Sequence, residues 1–170
     1  ALQWVGGGIA GLQASFQGMH RVLRPGGLLI FASFGPDTLQ ELRVASTGLD
    51  AHQHVNRFID MHDIGDALVH AGFGNPVMEM ERITLTYADL ADLLRDLKQI
   101  GAHTVLEGRR HGLMGKAAWR RLQQNYEAFR HDARLPATYE VVYGHAWAER
   151  PQKTEDGRQI VEFRKRMPGR

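Results

Sequence analysis

Three features of the sequence predict an α/β fold: a strand, a helix pair, a second strand, a two-helix insertion and a third strand. The first is Arg24-Pro25-Gly26-Gly27, a turn between a helical apolar stripe and the almost continuously apolar run Leu28–Phe34. The second is Val77–Tyr87, where Val77, Glu79, Glu81, Ile83 and Leu85 alternate with Met78, Met80, Arg82 and Thr84, the two-residue period of a strand. The third is Thr138–Trp147, rich in the β-branched and aromatic residues that suit a pleated surface.

The elements follow in order. Ala1-Leu2-Gln3-Trp4-Val5 has the look of a strand end, and Gly6-Gly7-Gly8 follows it. The glycines match neither a G-x-G-x-x-G fingerprint nor a Walker loop, so they do not point to a phosphate cradle. Ile9, Leu12, Phe16, Met19, Val22 and Leu23 are spaced as the buried stripe of a helix over about 9–23. Pro25 cannot continue that helix, and Gly26 or Gly27 can adopt the left-handed cap that ends it. Leu28–Phe34 then reads as a central strand covered on both faces. Thr38 and Glu41 have capping-box spacing, so a helix is expected from there. Asp60, with Asp63 at the third helical position, predicts a second helix with Ile64, Leu68 and Ala71 inward; Gly72 ends it. Thr86, with Asp89 three residues on, predicts a third, with Leu90, Leu93, Leu94, Leu97 and Ile100 on one face and Gly101 at its end. Gly108–Gly115 is a basic, glycine-rich loop, and Trp119, Leu122, Tyr126 and Phe129 mark a last helix from Lys116 to about Arg130. Residues 149–170 read as a basic, disordered tail.

Composition narrows the function classes. The 170 residues include no Cys, which removes disulfides and thiol nucleophiles and fits a reducing, cytoplasmic setting. No run approaches the ~20 apolar residues of a membrane span, and no secretory signal pattern opens the chain. The net charge is only +2, yet residues 95–130 hold eight Lys/Arg against three acids. Such a basic segment beside an acidic body suits an anionic partner, or simply a solvated helix face. Interleaved aromatics and nucleic-acid motifs are lacking, so no nucleic-acid partner is expected. His52 and His54 alternate and Asp60, His62 and Asp63 cluster, but no metal-ligand spacing such as His-Glu-x-x-His occurs.

Several stretches carry a resemblance: Leu2-Gln3-Trp4; Phe34-Gly35-Pro36-Asp37-Thr38-Leu39; and His54-Val55-Asn56-Arg57-Phe58-Ile59-Asp60-Met61-His62-Asp63-Ile64-Gly65. Leu85-Thr86-Tyr87, Asp96-Leu97-Lys98-Gln99-Ile100-Gly101-Ala102-His103 and the Thr138–Trp147 strand complete the set. The helix, Arg-Pro-Gly-Gly turn and buried strand resemble the junction before the fifth strand of class I S-adenosylmethionine-dependent methyltransferases. The ordered set, over residues 1–148, resembles the malonyl-[acyl-carrier protein] O-methyltransferases of biotin synthesis.

That resemblance implies the C-terminal portion of a Rossmann-like mixed sheet. Its strands would be the fifth, sixth and seventh, the seventh inserted antiparallel between the other two, with a helical insertion at about 86–131. The family's Asp/Glu-x-Gly-x-Gly loop is absent, as is the acidic end of the second strand, so most of the cofactor site is missing and the chain alone is expected to be inactive. Leu2, Gln3 and Trp4 would border the cofactor. In such enzymes a methyl group moves to the free carboxylate of a malonyl thioester. A carboxylate with a pKa near 4 is already ionised at pH 7 and needs no general base, so no catalytic residue is expected.

An arginine fork suits the task of holding a carboxylate. Arg57 beside Asn56, with Arg95, Arg109 and Arg110, are the candidates, and each has salt bridging as its ordinary use. Arg109 and Arg110, with Lys116, Arg120 and Arg121, would also suit an acidic carrier protein. Phe34 joins the substrate-binding set. Tyr139 and Tyr143 share one face of the last strand and line either that pocket or the core. Two other readings stand beside this one: a methyltransferase for another small carboxylate or metabolite, and a non-catalytic module that binds a carrier protein or self-associates through an uncovered edge at Leu28–Phe34.

Overall fold

The computed structural model describes residues 2, 5–49, 58–99 and 115–149. Its elements run α1 (Gly8–Val22), β1 (Leu28–Phe34), α2 (Gln40–Ser46), α3 (Met61–His70), β2 (Phe73–Tyr87), α4 (Leu90–Gln99), α5 (Lys116–Glu127) and β3 (Leu135–Ala148). The expected order of strands, helix pair and helical insertion is therefore present. Among the described residues the sheet has three strands in the order β1-β3-β2. The last strand in sequence is the middle one in space, antiparallel to both neighbours, with Leu28 opposite Trp147, Phe34 opposite Val141, and Tyr87 opposite Leu135. That is the insertion the resemblance implies. The expected mixed pairing is not seen among these residues, because β1 and β2, which run parallel to each other, are not neighbours.

β1 departs from the reading as a central strand covered on both faces and matches the uncovered-edge reading: among the described residues it is an edge, with Leu28 and Ile30 44% and 72% exposed. The helix before it also differs. Leu12 and Phe16 are buried, but Ile9 and Val22 of the expected stripe face solvent. α1 stops because Leu23 is extended; Gly26, at φ 80°, then forms the corner of a turn closed by Gly27 N–H donating to Arg24 O at 2.7 Å. Proline at the second and glycine at the third position of such a turn supply the dihedrals it requires. Leu2 lies in a short helical turn, with Val5 N–H donating to Leu2 O, rather than in a strand end.

Two cores sit beside the sheet. In one, Leu12 and Phe16 of α1 meet Ile64, Ala67 and Leu68 of α3 over Val142, Ala146 and Ala148. In the other, Leu42 and Ala45 of α2, Leu90, Leu93 and Leu97 of α4, and Leu122 and Tyr126 of α5 surround Leu135 and Ala137. α3 is capped as expected, Asp60 accepting from His62 N–H at 2.8 Å. α4 is not: Thr86 remains in β2, and the Asp89 carboxylate accepts from Asp92 N–H at 2.9 Å. β2 begins earlier than Val77, since Phe73 and Gly74 already pair with β3 before a register shift that accommodates Pro76. The expected close of α4 at Ile100–Gly101, the basic loop around 108–115 and the 149–170 tail lie, but for Gly115 and Glu149, outside the described residues.

The capping box expected at Thr38 and Glu41 is used differently. α2 starts at Gln40, after Leu39 at φ 55°, with no side-chain cap. Thr38 Oγ1 accepts from Glu140 N–H and donates to Glu140 O, both at 3.1 Å, while the Glu41 carboxylate accepts from the Thr138 N–H and hydroxyl. Glu140 Oε2 accepts from Asp37 N–H at 2.8 Å, and its side chain lies on Gly35, where a Cβ would come 2.5 Å from the carboxyl carbon. Gly35→Ala should therefore lose about 1–3 kcal/mol of stability through overpacking. Denaturant titration should show Gly35→Ala with Glu140→Ala costing less than the sum of the single changes; simple additivity would contradict the contact.

Candidate substrate pocket

The same crossing that fixes β3 brings three strand ends together beneath α4. β1 delivers Phe34, β2 delivers Ile83, Leu85 and Tyr87, β3 delivers Tyr139 and Val141, and α4 adds Asp96 and Gln99. These side chains line an open cavity of about 530 Å³, within the ~300–1,000 Å³ of small-ligand sites. Alternation explains the set. Ile83 is opposite Tyr139, and Phe34 opposite Val141, so the lining residues of the three strands share one face. Leu90, Leu93 and Leu97 seat α4 on the core, which leaves Asp96 and Gln99 for the cavity rim.

Aromatic packing orders the floor. Phe34 meets Tyr139 at 6.0 Å between ring centroids and Phe58 at 5.7 Å edge-on. Tyr87, Tyr139 and Asp96 line the cavity together, and burial, followed by the Asp96 charge, raises the Tyr87 pKa. Burial, reinforced by the neighbouring hydroxyl and carboxylates, raises the Tyr139 pKa above the ordinary 10.0. Burial likewise raises Tyr126 just behind the cavity, whose hydroxyl donates to Pro136 O at 2.8 Å. Both phenols are therefore neutral hydrogen-bonding groups at physiological pH.

The structure separates the candidate residues. Phe34 and Tyr139 line the cavity. Tyr143 does not: it lies farther along β3, 41% exposed, with its hydroxyl 3.4 Å from the Glu81 carboxylate. Arg95 is exposed and pairs with Asp92 on its own helix, one residue before the lining Asp96. Leu2 is buried beside Leu12 and Phe16 in the α1–α3 core. Gln3, Trp4, Asn56, Arg57, Arg109 and Arg110 lie outside the described residues. Ile83, Leu85, Tyr87, Val141, Asp96 and Gln99 were not named as site residues from sequence, although all but Ile83 lie in the stretches that carry the resemblance.

A cofactor cradle is not among the described residues. Gly7, at φ 83°, is the N-cap of α1, and the space a Cβ would need at Gly11 is filled by Gly6 O, so this glycine stretch is spent on chain packing. The sequence also lacks an acidic glycine loop after a strand, and these residues do not fit S-adenosylmethionine. Among the described residues no group of three His, Cys, Asp or Glu could hold a metal ion, and no helix is long and apolar enough to cross a membrane.

No protein-family profile matches the chain. Curated relatives do. It is 57% identical over 162 residues to a malonyl-[acyl-carrier protein] O-methyltransferase of Gallionella capsiferriformans, covering 95% of this chain and 54% of that protein. It is 58% identical over 171 residues to the protein of that name in Laribacter hongkongensis, covering 99% of this chain and 56% of that protein. A Coxiella burnetii protein of the same description is 49% identical over 148 residues, covering 86% of this chain and 50% of its own length. The chain thus spans about half the length of the curated relatives it matches.

The raised tyrosines predict a pH response. The unfolded chain releases phenolic protons near pH 10 while the folded form retains them, so this part of stability is complete below about pH 10 and is lost as pH rises above it. Urea midpoints measured across that range should fall less steeply for Tyr139→Phe than for the unchanged chain. Equal slopes would contradict the burial of this hydroxyl.

Proposed function

We infer that this chain, a relative of the malonyl-[acyl-carrier protein] O-methyltransferases over nearly its whole length, forms the substrate-side part of an enzyme that esterifies the free carboxylate of a malonyl thioester. The supporting observation is 57–58% identity sustained across 95–99% of the chain. S-adenosylmethionine is the methyl donor in this reading, held mainly by parts of the relatives' length that the chain does not span. Cytoplasmic location and inactivity of the chain by itself belong to the same proposal.

The chemistry asks little acid–base work of the protein. The malonyl carboxylate, with a pKa of about 4, arrives ionised. Catalysis then rests on holding the nucleophile in line and excluding water. Asn56, Arg57, Arg109 and Arg110 are proposed to orient the carboxylate, and the basic stretch of sequence from Arg109 to Arg121 to meet the acidic carrier.

Mass spectrometry of malonyl-carrier protein, after incubation with methyl donor and the 170 residues extended upstream, tests this reading. Gain of one methyl group with the extended protein, and none with the 170 residues alone, is expected. No transfer by either, with turnover of another small carboxylate by the extended protein, would replace the malonyl assignment. Reversing both Arg109 and Arg110 to Glu should weaken carrier affinity at least tenfold at low salt; unchanged affinity would remove them from the docking face.

A second reading has its own observation. The exposed β1 edge, carrying Leu28 and Ile30, favours self-association of this chain by strand pairing. Sedimentation of the 170 residues should show a concentration-dependent dimer that Ile30→Lys disperses. A monomer at all concentrations would contradict this.

A further inference from the structure

The cavity lining discriminates between the two ends of a carrier-bound substrate, an inference that rests on the reading above and deepens it. Four of its side chains are hydrocarbon (Phe34, Ile83, Leu85 and Val141), two are phenols, and the remaining two are Asp96 and Gln99. None of these lining residues is Lys, Arg or His. Among the described residues, a carboxylate placed here would meet a like charge and no cation in a largely apolar wall, an arrangement that disfavours ionisation. The phenols do not compensate. They bring no positive charge, and burial, with the nearby Asp96 charge adding to it, keeps both protonated. The wall therefore offers an incoming molecule apolar surface and hydrogen-bond acceptors, the most powerful of them an anionic carboxylate.

An acyl carrier presents its cargo on a flexible thiol arm made of methylenes and secondary amides. Such an arm is uncharged, carries N–H donors, and needs the combination this cavity supplies. We propose that the cavity takes the amide-bearing thioester arm, an arm N–H donating to the Asp96 carboxylate while its methylenes lie on Phe34, Ile83 and Leu85, and that the cargo carboxylate stays outside it. Asp96 and Gln99 lie on the exposed side of α4 at the cavity rim, so the arm can enter from the helix side without disturbing the core formed by Leu90, Leu93 and Leu97.

Calorimetric titration of the full 170-residue chain with pantetheine, the uncharged arm alone, against malonate, the anionic end alone, separates the two. Saturable pantetheine binding that is indifferent to salt, with no malonate binding, is the expected result. Asp96→Asn, which keeps the side-chain shape on an exposed helix position, should weaken pantetheine about tenfold, the size of a hydrogen bond to a charged acceptor. Ile83→Trp should abolish binding by filling the cavity, with circular dichroism confirming that each variant is folded. Malonate binding in place of pantetheine, binding of neither, or pantetheine binding unchanged in both variants would each overturn the assignment. The methyl-transfer assay reads the enzymatic proposal independently. Transfer without pantetheine binding removes only the arm site, and pantetheine binding without transfer leaves the arm site standing while the enzymatic reading falls.

Discussion

The crossing of β3 with the Gly35–Leu39 segment is the constraint on which the remaining architecture depends. A strand that is last in sequence must insert between two earlier ones, and nothing in local propensity compels it to. The insertion is fixed where β1 ends. Gly35 N–H donates to Glu140 O, Thr38 satisfies both backbone groups of Glu140, and Leu39 N–H donates to Thr138 O. Two carboxylates complete the clasp, Glu140 on Asp37 N–H and Glu41 on the Thr138 amide and hydroxyl. Both acids are buried, and a buried carboxylate is tolerable only with such partners. Arg43 locks the outside of the turn by donating to Pro36 O and Thr38 O. A one-residue slip of β3 would therefore break several side-chain contacts besides moving every inward residue to the other face.

The candidate site inherits its geometry from that clasp. Thr138, Tyr139 and Glu140 are consecutive: the outer two hold the turn after β1, and Tyr139 points to the opposite face, into the cavity, beside Phe34. The residue that makes the cavity floor is thus positioned by its immediate neighbours. α4 and α5 add the roof through Leu93, Leu97, Leu122 and Tyr126, each nearly or fully buried, and Asn125 ties α5 to α2 by donating to Ala45 O. Full burial of a large apolar side chain contributes about 1.5–3 kcal/mol, so this roof is held mainly by packing and only locally by hydrogen bonds.

Periodicity made much of this legible. The boundaries of β1, the start of α5 and the Asp60 cap of α3 follow from local sequence, because each depends on turn residues, a capping carboxylate or an apolar stripe nearby. The misreadings share a different cause. Thr38 and Glu41 have capping-box spacing, but partners about a hundred residues away compete for them and prevail. Ile9 and Val22 fit the α1 stripe by spacing, yet the helix packs through a narrower face centred on Leu12 and Phe16. β1 reads as central from its composition, whereas its actual exposure depends on which strands lie beside it. In the cavity, Phe34 and Tyr139 were visible as aromatic residues on strands, while Asp96 was hidden as one more charge on an amphipathic helix. Only the placement of α4 over the sheet gives that carboxylate a role.

The central claim is that β3 lies between β1 and β2 and thereby sets the cavity. Cross-strand nuclear Overhauser contacts in the 170-residue chain test it directly. The Tyr143 backbone should show contacts to both Ala32 of β1 and Glu79 of β2, its partners in the two antiparallel ladders. Contacts from Tyr143 to one of these strands alone would contradict the insertion, and with it the cavity and the function argued from its lining.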